Sequence, residues 1–180
     1  MKLPNWLNRW FVSVPAPRTD ASPPKVIMTH ECLLALTKAL RPSLERRHEG
    51  VAYLLGRTDG VVTLAITVFA PTARTTAGSF HVDGRAMAAC MQIAGKHELQ
   101  IVAQVHTHPG QAYHSDGDEE GARIRYPGYV SIVVPDYGIS LPHLDGIAAY
   151  VWLAGAGWQI LEADDLIIVS GAGPWTKPNG

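Results

Sequence analysis

Three apolar, β-branched runs each stop at a proline: VVTLAITVFAP at Pro71, LQIVAQVHTHP at Pro109 and YVSIVVP at Pro135. Val, Ile and Thr suit a pleated surface, and proline cannot donate to a sheet ladder. Each run therefore reads as a strand with a defined exit. VAYLLG, IAAYVWL, WQIL and LIIVS add shorter strands. The Asp-Gly in RTDG favours a hairpin after VAYLLG. Two segments carry helical spacing instead. THECLLALTKALRP puts Leu33, Leu36 and Leu40 on one face and is expected to end at Pro42. Asp83 can cap a helix reaching about His97, with Ala86, Ala89, Cys90, Ile93 and Ala94 inward. ARTTAGS reads as a loop, and Asp116 to Arg125 as a short helix. Together these predict an α+β fold, a mixed β-sheet flanked by helices.

A chain of 180 residues with 47% apolar and 17% charged residues can bury one full core. PAPRTDASPP, Pro15–Pro24, reads as a linker. The expected organisation is an N-terminal segment over 1–24, one domain over 25–170 and a tail over 171–180. In the first segment Trp6, Leu7, Trp10, Phe11 and Val14 form one helical stripe, expected to pack on its own domain, with docking to a partner or membrane surface as the alternative. The formal charge of −1 gives no footprint for nucleic acid, and no apolar run reaches the length of a membrane span. Asn8 and Arg9 break the early apolar run, which makes it a poor secretory signal. Two cysteines, Cys32 and Cys90, both in apolar settings, support neither a disulfide framework nor a thiolate zinc knuckle. A reducing, cytoplasmic setting is the simplest expectation.

Chemistry concentrates in VHTHPGQAYHSDGDEE, Val105–Glu120. His106 and His108, at i and i+2 on a predicted strand, share a face, and Thr107 points the other way. Two imidazoles so placed can converge on one zinc ion, although His-x-His alone more often means two unrelated polar side chains. Ser115-x-x-Asp118 is a helix capping box. A capped first turn can also aim Asp118 at a metal, leaving a fourth position for water, the pattern of a catalytic zinc. His114 is a weaker alternative for the third ligand. Activating water requires a carboxylate base. Glu49, just before VAYLLG, is the candidate, and an ordinary glutamate at a strand entrance is the plainer reading. His81 and His97 read as structural or exposed, Cys90 as a core thiol, and Trp152 and Trp158 as core.

Glu49-Gly-Val-Ala-Tyr-Leu-Leu-Gly56, then His106-Thr-His108-Pro109, then Ser115-x-x-Asp118, resembles the signature of the JAMM (JAB, MPN+) zinc metallopeptidases. The resemblance spans Glu49 to Pro135. The His108–Ser115 spacer is one residue shorter than the commonest form, and Ala52 replaces a frequent glycine. The resemblance implies a curved sheet of the cytidine-deaminase type. It implies one Zn²⁺ on His106, His108 and Asp118 with a bound water, Glu49 as proton carrier and Ser115 as oxyanion donor. Members act at the C-terminal glycine of ubiquitin or ubiquitin-like proteins, which makes such a protein or its conjugates the expected partner. Bacterial relatives often accompany ubiquitin-like activating and conjugating enzymes, including in anti-phage defence operons. Two rival readings are processing of a sulfur-carrier protein and a non-catalytic MPN scaffold. A zinc deaminase would want a Cys-x-x-Cys pair, which this chain lacks.

Overall fold

A computed structural model describes residues 24–170. The Trp6–Val14 stripe, the linker up to residue 23 and the tail with Trp175 lie outside these residues. In chain order the elements are β1 (Lys25–Thr29), α1 (His30–Arg46), β2 (Val51–Thr58), β3 (Val62–Phe69), β4 (Ala73–Thr76), β5 (Ser79–Val82), α2 (Gly84–Lys96), β6 (Gln100–Thr107), α3 (Asp116–Gly121), β7 (Val130–Val134), β8 (Ala148–Leu153), β9 (Gly157–Ile160) and β10 (Leu166–Val169).

Eight strands form one mixed sheet in the order β10-β1-β3-β2-β6-β7-β8-β9, and β4-β5 form a separate hairpin. β1 runs parallel to β10 and β3, and β6 parallel to β7, while the remaining pairs are antiparallel. The expected α+β class holds. Successive residues of β2 serve opposite faces. Ala52 and Leu54 join Leu33, Leu36 and Leu40 of α1 in one core. Val51, Tyr53 and Leu55 join Met87, Cys90 and Ala94 of α2 in the other. β2 and β6 are therefore covered on both sides.

Several expectations are corrected. Helix α1 does not stop at Pro42 but continues to Arg46. Pro42 and Lys38, whose carbonyl loses its i+4 donor, are both exposed, so the lost bond faces solvent, and half-buried Ser43 and Leu44 continue the face of Leu36 and Leu40 beyond the proline. ARTTAGS is not a loop. Arg74 pairs with His81 and Thr75 with Phe80, and Thr76 and Ser79 hydroxyls join across the turn at 2.7 Å. On α2, Ala89 and Ile93 face out, and Met87 takes the inward position with Cys90 and Ala94. Helix α3 ends at Gly121, short of Arg125. The strand KVIMT, β1, is an element the sequence reading passed over. Trp152 and Trp158 are half-buried at the margin of the second core.

The Asp-Gly hairpin forms as expected. Asp59 accepts from Val61 and Val62 N–H, both at 2.8 Å, and Gly60 takes φ +84°. Below it the ladder shifts register between Leu55 and Gly56. A Cβ on Gly56 would lie 1.8 Å from the Leu64 carbonyl oxygen, so only glycine allows that approach.

Candidate metal centre

The two central strands bring the site together. Val51 at the start of β2 pairs with His106 near the end of β6. Gln104, His106 and His108 alternate onto one face, while Thr107 turns into the opposite core. There the Thr107 hydroxyl accepts the Gly50 N–H at 2.7 Å, and Thr107 N–H donates to the Gly50 carbonyl at 3.0 Å. This latch fixes the segment carrying Glu49. Beyond the strand, His108 N–H donates to Val134, Tyr137 N–H to the His108 carbonyl at 2.7 Å, and Asp136 N–H to Gly110. Asp136 and Tyr137 adopt left-handed φ of 49° and 57° to make that turn. His108 is thus held by backbone on both sides although it lies past the end of β6.

Helix α3 supplies the third group. Ser115 is its N-cap and the capping box is complete: Ser115 Oγ accepts from Asp118 N–H at 3.2 Å, and the Asp118 carboxylate accepts from Ser115 N–H at 2.9 Å. Ser115 Oγ also donates to Asp118 Oδ2 at 2.6 Å. So restrained, Asp118 Oδ1 lies 3.1 Å from His106 Nε2 and Oδ2 lies 3.3 Å from His108 Nε2. One ligand atom from each of the three residues lies within 4.8 Å of the others.

This donor set fits a small divalent cation. Two imidazole nitrogens and one carboxylate oxygen suit zinc, and three protein ligands leave a coordination position open. His106 is fully buried, and its Nε2, close to Asp118 but not aligned for a hydrogen bond, has no partner among the described residues. A buried polar nitrogen without a partner is costly, and a metal would satisfy it. Electrostatics agree. Burial pushes the Asp118 carboxyl up, but the imidazoles of His106 and His108 and the Ser115 hydroxyl outweigh it and hold it well below the usual carboxylate range. The hydrogen bond with Asp118 raises His108 above its ordinary value against the effect of burial.

Glu49 is 6% exposed and lines the same cleft as His108, Ser115 and Asp118. Burial pushes its carboxyl up to about 7, His108 opposes and Asp118 adds to the rise. Its N–H donates to the Thr76 carbonyl at 2.8 Å, and Tyr137 Oη donates to the Ala77 carbonyl at 3.0 Å, so the β4-β5 hairpin is pinned beside the cleft. The cleft has a volume of about 960 Å³. All five residues singled out in the sequence therefore line or adjoin one site.

His114 does not join the three ligand groups. Its ring stacks on Tyr150 (4.6 Å between centroids, 19° between planes) and meets Trp158 edge-on at 4.9 Å, and its N–H donates to Tyr150 Oη at 3.1 Å. It acts as an anchor for the loop entering α3, and burial lowers its pKa. Sequence reasoning also missed Tyr53, Phe80, Gln104 and Arg123, which line the cleft. Tyr53 and Gln104 carried a signal, because they alternate in step with Val51 and His106 on paired strands.

The family model described as prokaryotic homologs of the JAB domain matches residues 34–142, more than half of the chain. The chain belongs to the Prok-JAB family. A curated relative, the probable metalloprotease y4jG of Sinorhizobium fredii, is 31% identical to this Prok-JAB chain over 146 residues, covering 74% of the chain and 85% of the relative. The solution structure of protein DSY2949 from Desulfitobacterium hafniense shares the fold, with a TM-score of 0.64 at 17% identity over 81% of this chain and 94% of that one.

Proposed function

We propose that this Prok-JAB chain is a zinc metallopeptidase that hydrolyses the bond following the C-terminal glycine of a ubiquitin-like protein. One observation carries the reading: His106, His108 and Asp118 converge, and among the described residues the buried His106 Nε2 has no aligned hydrogen-bond partner. The relative named a probable metalloprotease supports the peptidase part. The ubiquitin-like part follows from the signature, with the cleft beside a β-hairpin as support, since an extended tail can pair along such an edge. Glycine lets that tail approach closely because it carries no side chain. The catalytic domain of this reading is 25–170, and two free buried cysteines are in keeping with a reducing cytoplasm.

His106, His108 and Asp118 would hold the ion, which when bound supplies Lewis acidity that lowers the pKa of water towards about 7 and polarises the scissile carbonyl. Glu49, buried in the cleft beside His108 and Asp118, would take a proton from the attacking water and give it to the leaving amine. Ser115 Oγ, at the cleft wall, would turn its single hydroxyl proton from Asp118 Oδ2 to the oxyanion, and one such donor is typically worth about 3–4 kcal/mol of barrier.

The test combines metal analysis with cleavage of fusions to ubiquitin-like and sulfur-carrier proteins, comparing the native chain with Glu49→Ala. Stoichiometric zinc in both and turnover in the native chain alone is the expected result. Equal turnover would reject Glu49 as the base. Zinc without turnover on any fusion would favour the scaffold reading, and preference for sulfur-carrier fusions would replace the substrate.

A further inference from the structure

The outer face of β10-β1-β3 is unusual for the ladders that build it. These three strands are joined by parallel pairing. Parallel sheet is ordinarily covered on both faces. One face is covered here: Val26, Met28, Ala65, Leu166 and Ile168 pack with α1. The alternate residues point the other way. Ile27 pairs with both Leu64 and Ile167, giving one apolar row across all three strands. Leu64, Ile66, Ile167 and Val169 are 39–46% exposed, and Val62 extends the patch at 36%. Helix α2 does not reach it, since α2 packs over β2 and β6. Among the described residues nothing covers this face.

We propose that residues Trp6–Val14 of this same chain cover it, the stripe Trp6, Leu7, Trp10, Phe11 and Val14 lying across Leu64, Ile27 and Ile167. Three facts select this occupant. The segment is joined through Pro15–Pro24 to β1, the middle strand of the patch, whose Lys25 N–H bonds the Val61 carbonyl at the patch edge. The ten residues Pro15–Pro24 can reach up to roughly 33 Å, ample to fold back over the sheet. The stripe as a helix would span about 12 Å, against about 10 Å across three strands. The chemistry of the sequence also matches: the stripe is aromatic and aliphatic like the surface it would meet, and Asn8 and Arg9 fall outside its helical spacing.

The experiment is limited trypsin digestion of the full chain with sedimentation alongside. The Arg18–Thr19 bond in the linker serves as the internal standard for the Arg9–Trp10 bond in the stripe. In a monomeric native chain, cleavage after Arg9 is expected to be about tenfold slower than after Arg18. Leu64→Asp on the face and, separately, Trp6→Ser/Phe11→Ser on the stripe should each bring the two rates together. The second variant leaves the folded domain untouched, so it keeps the test open should Leu64→Asp unfold. Equal rates in the native chain overturn the proposal. A native dimer that Leu64→Asp converts to monomer also overturns it, and assigns the face to a second copy.

Discussion

At the scale of single residues, the centre depends on charge placed where water is scarce. Replacing Asp118 with Asn keeps the shape but removes the anionic ligand. Metal content is expected to fall from one ion per chain to a small fraction, read by elemental analysis after dialysis. Retention of full occupancy would mean that another group serves as ligand. Glu49 allows a sharper test in chelator-treated protein. Its carboxyl is raised from 4.5 to about 7, so between those values the folded state holds a proton that the unfolded chain has released. The Glu49 contribution to stability then declines as pH rises through that window, the raised His108 adds a decline of the same sign above 6.5, and the lowered His114 opposes with a gain as pH rises towards 6.5. Urea midpoints measured from pH 4.5 to 7.5 should fall more with rising pH in the native chain than in Glu49→Gln, the difference between the two curves being the Glu49 contribution. An unchanged slope in the variant would place the titration elsewhere. That His106, His108 and Asp118 come together was partly legible, because strand alternation and helix capping are local rules, although His-x-His and Ser-x-x-Asp each read alone as ordinary features. His114 was not, because its partners Tyr150 and Trp158 come from distant strands that only the fold brings near.

At the scale of elements, two small devices hold the site in place. Helix α3 has six residues, too few to persist alone, and relies on its capping box. Ser115→Ala should lower stability by about 1 kcal/mol, typical of a lost N-cap. It should also weaken metal binding by about 10–100-fold, because Asp118 loses the partner that orients it. Competition with a chromophoric chelator measures the second effect, and unchanged affinity would show that the strand ligands suffice. The Thr107–Gly50 latch is the other device. Thr107→Val removes the acceptor and strands a buried N–H, which should cost about 1–3 kcal/mol in denaturant melts. A neutral substitution there would mean that the β2 entrance relaxes freely. Sequence pattern identified most strands and both long helices, yet misjudged ARTTAGS and Pro42. Threonine runs are ambiguous between loop and hairpin until a partner such as Phe80 is in register. A proline breaks a helix only when the rest of its face lacks buried support, and α1 has Leu33, Leu36 and Leu40.

At the scale of the whole molecule, one sheet separates two cores, and each contains a cysteine: Cys32 with α1, Cys90 with α2. Burial pushes their thiols up to about 11 and about 12. Neither should react with an aromatic disulfide reagent at pH 8 in the native state, because the thiolate is the reactive form. As urea is added, both should become reactive together if the cores melt as one. Earlier labelling of Cys90 would show that α2 opens separately. The overall class was readable because strands and helices differ in period, whereas the mixed strand order depends on contacts between segments far apart in the chain. β6 lies inside that order, flanked by β2 and β7. His106 thus sits in backbone paired on both sides and His108, just beyond, is held by Val134 and Tyr137, while the β4-β5 hairpin borders the cleft from outside the sheet. Side chains of that hairpin can therefore be exchanged while the seat of the two imidazoles stays put, like fresh jaws on one forged handle.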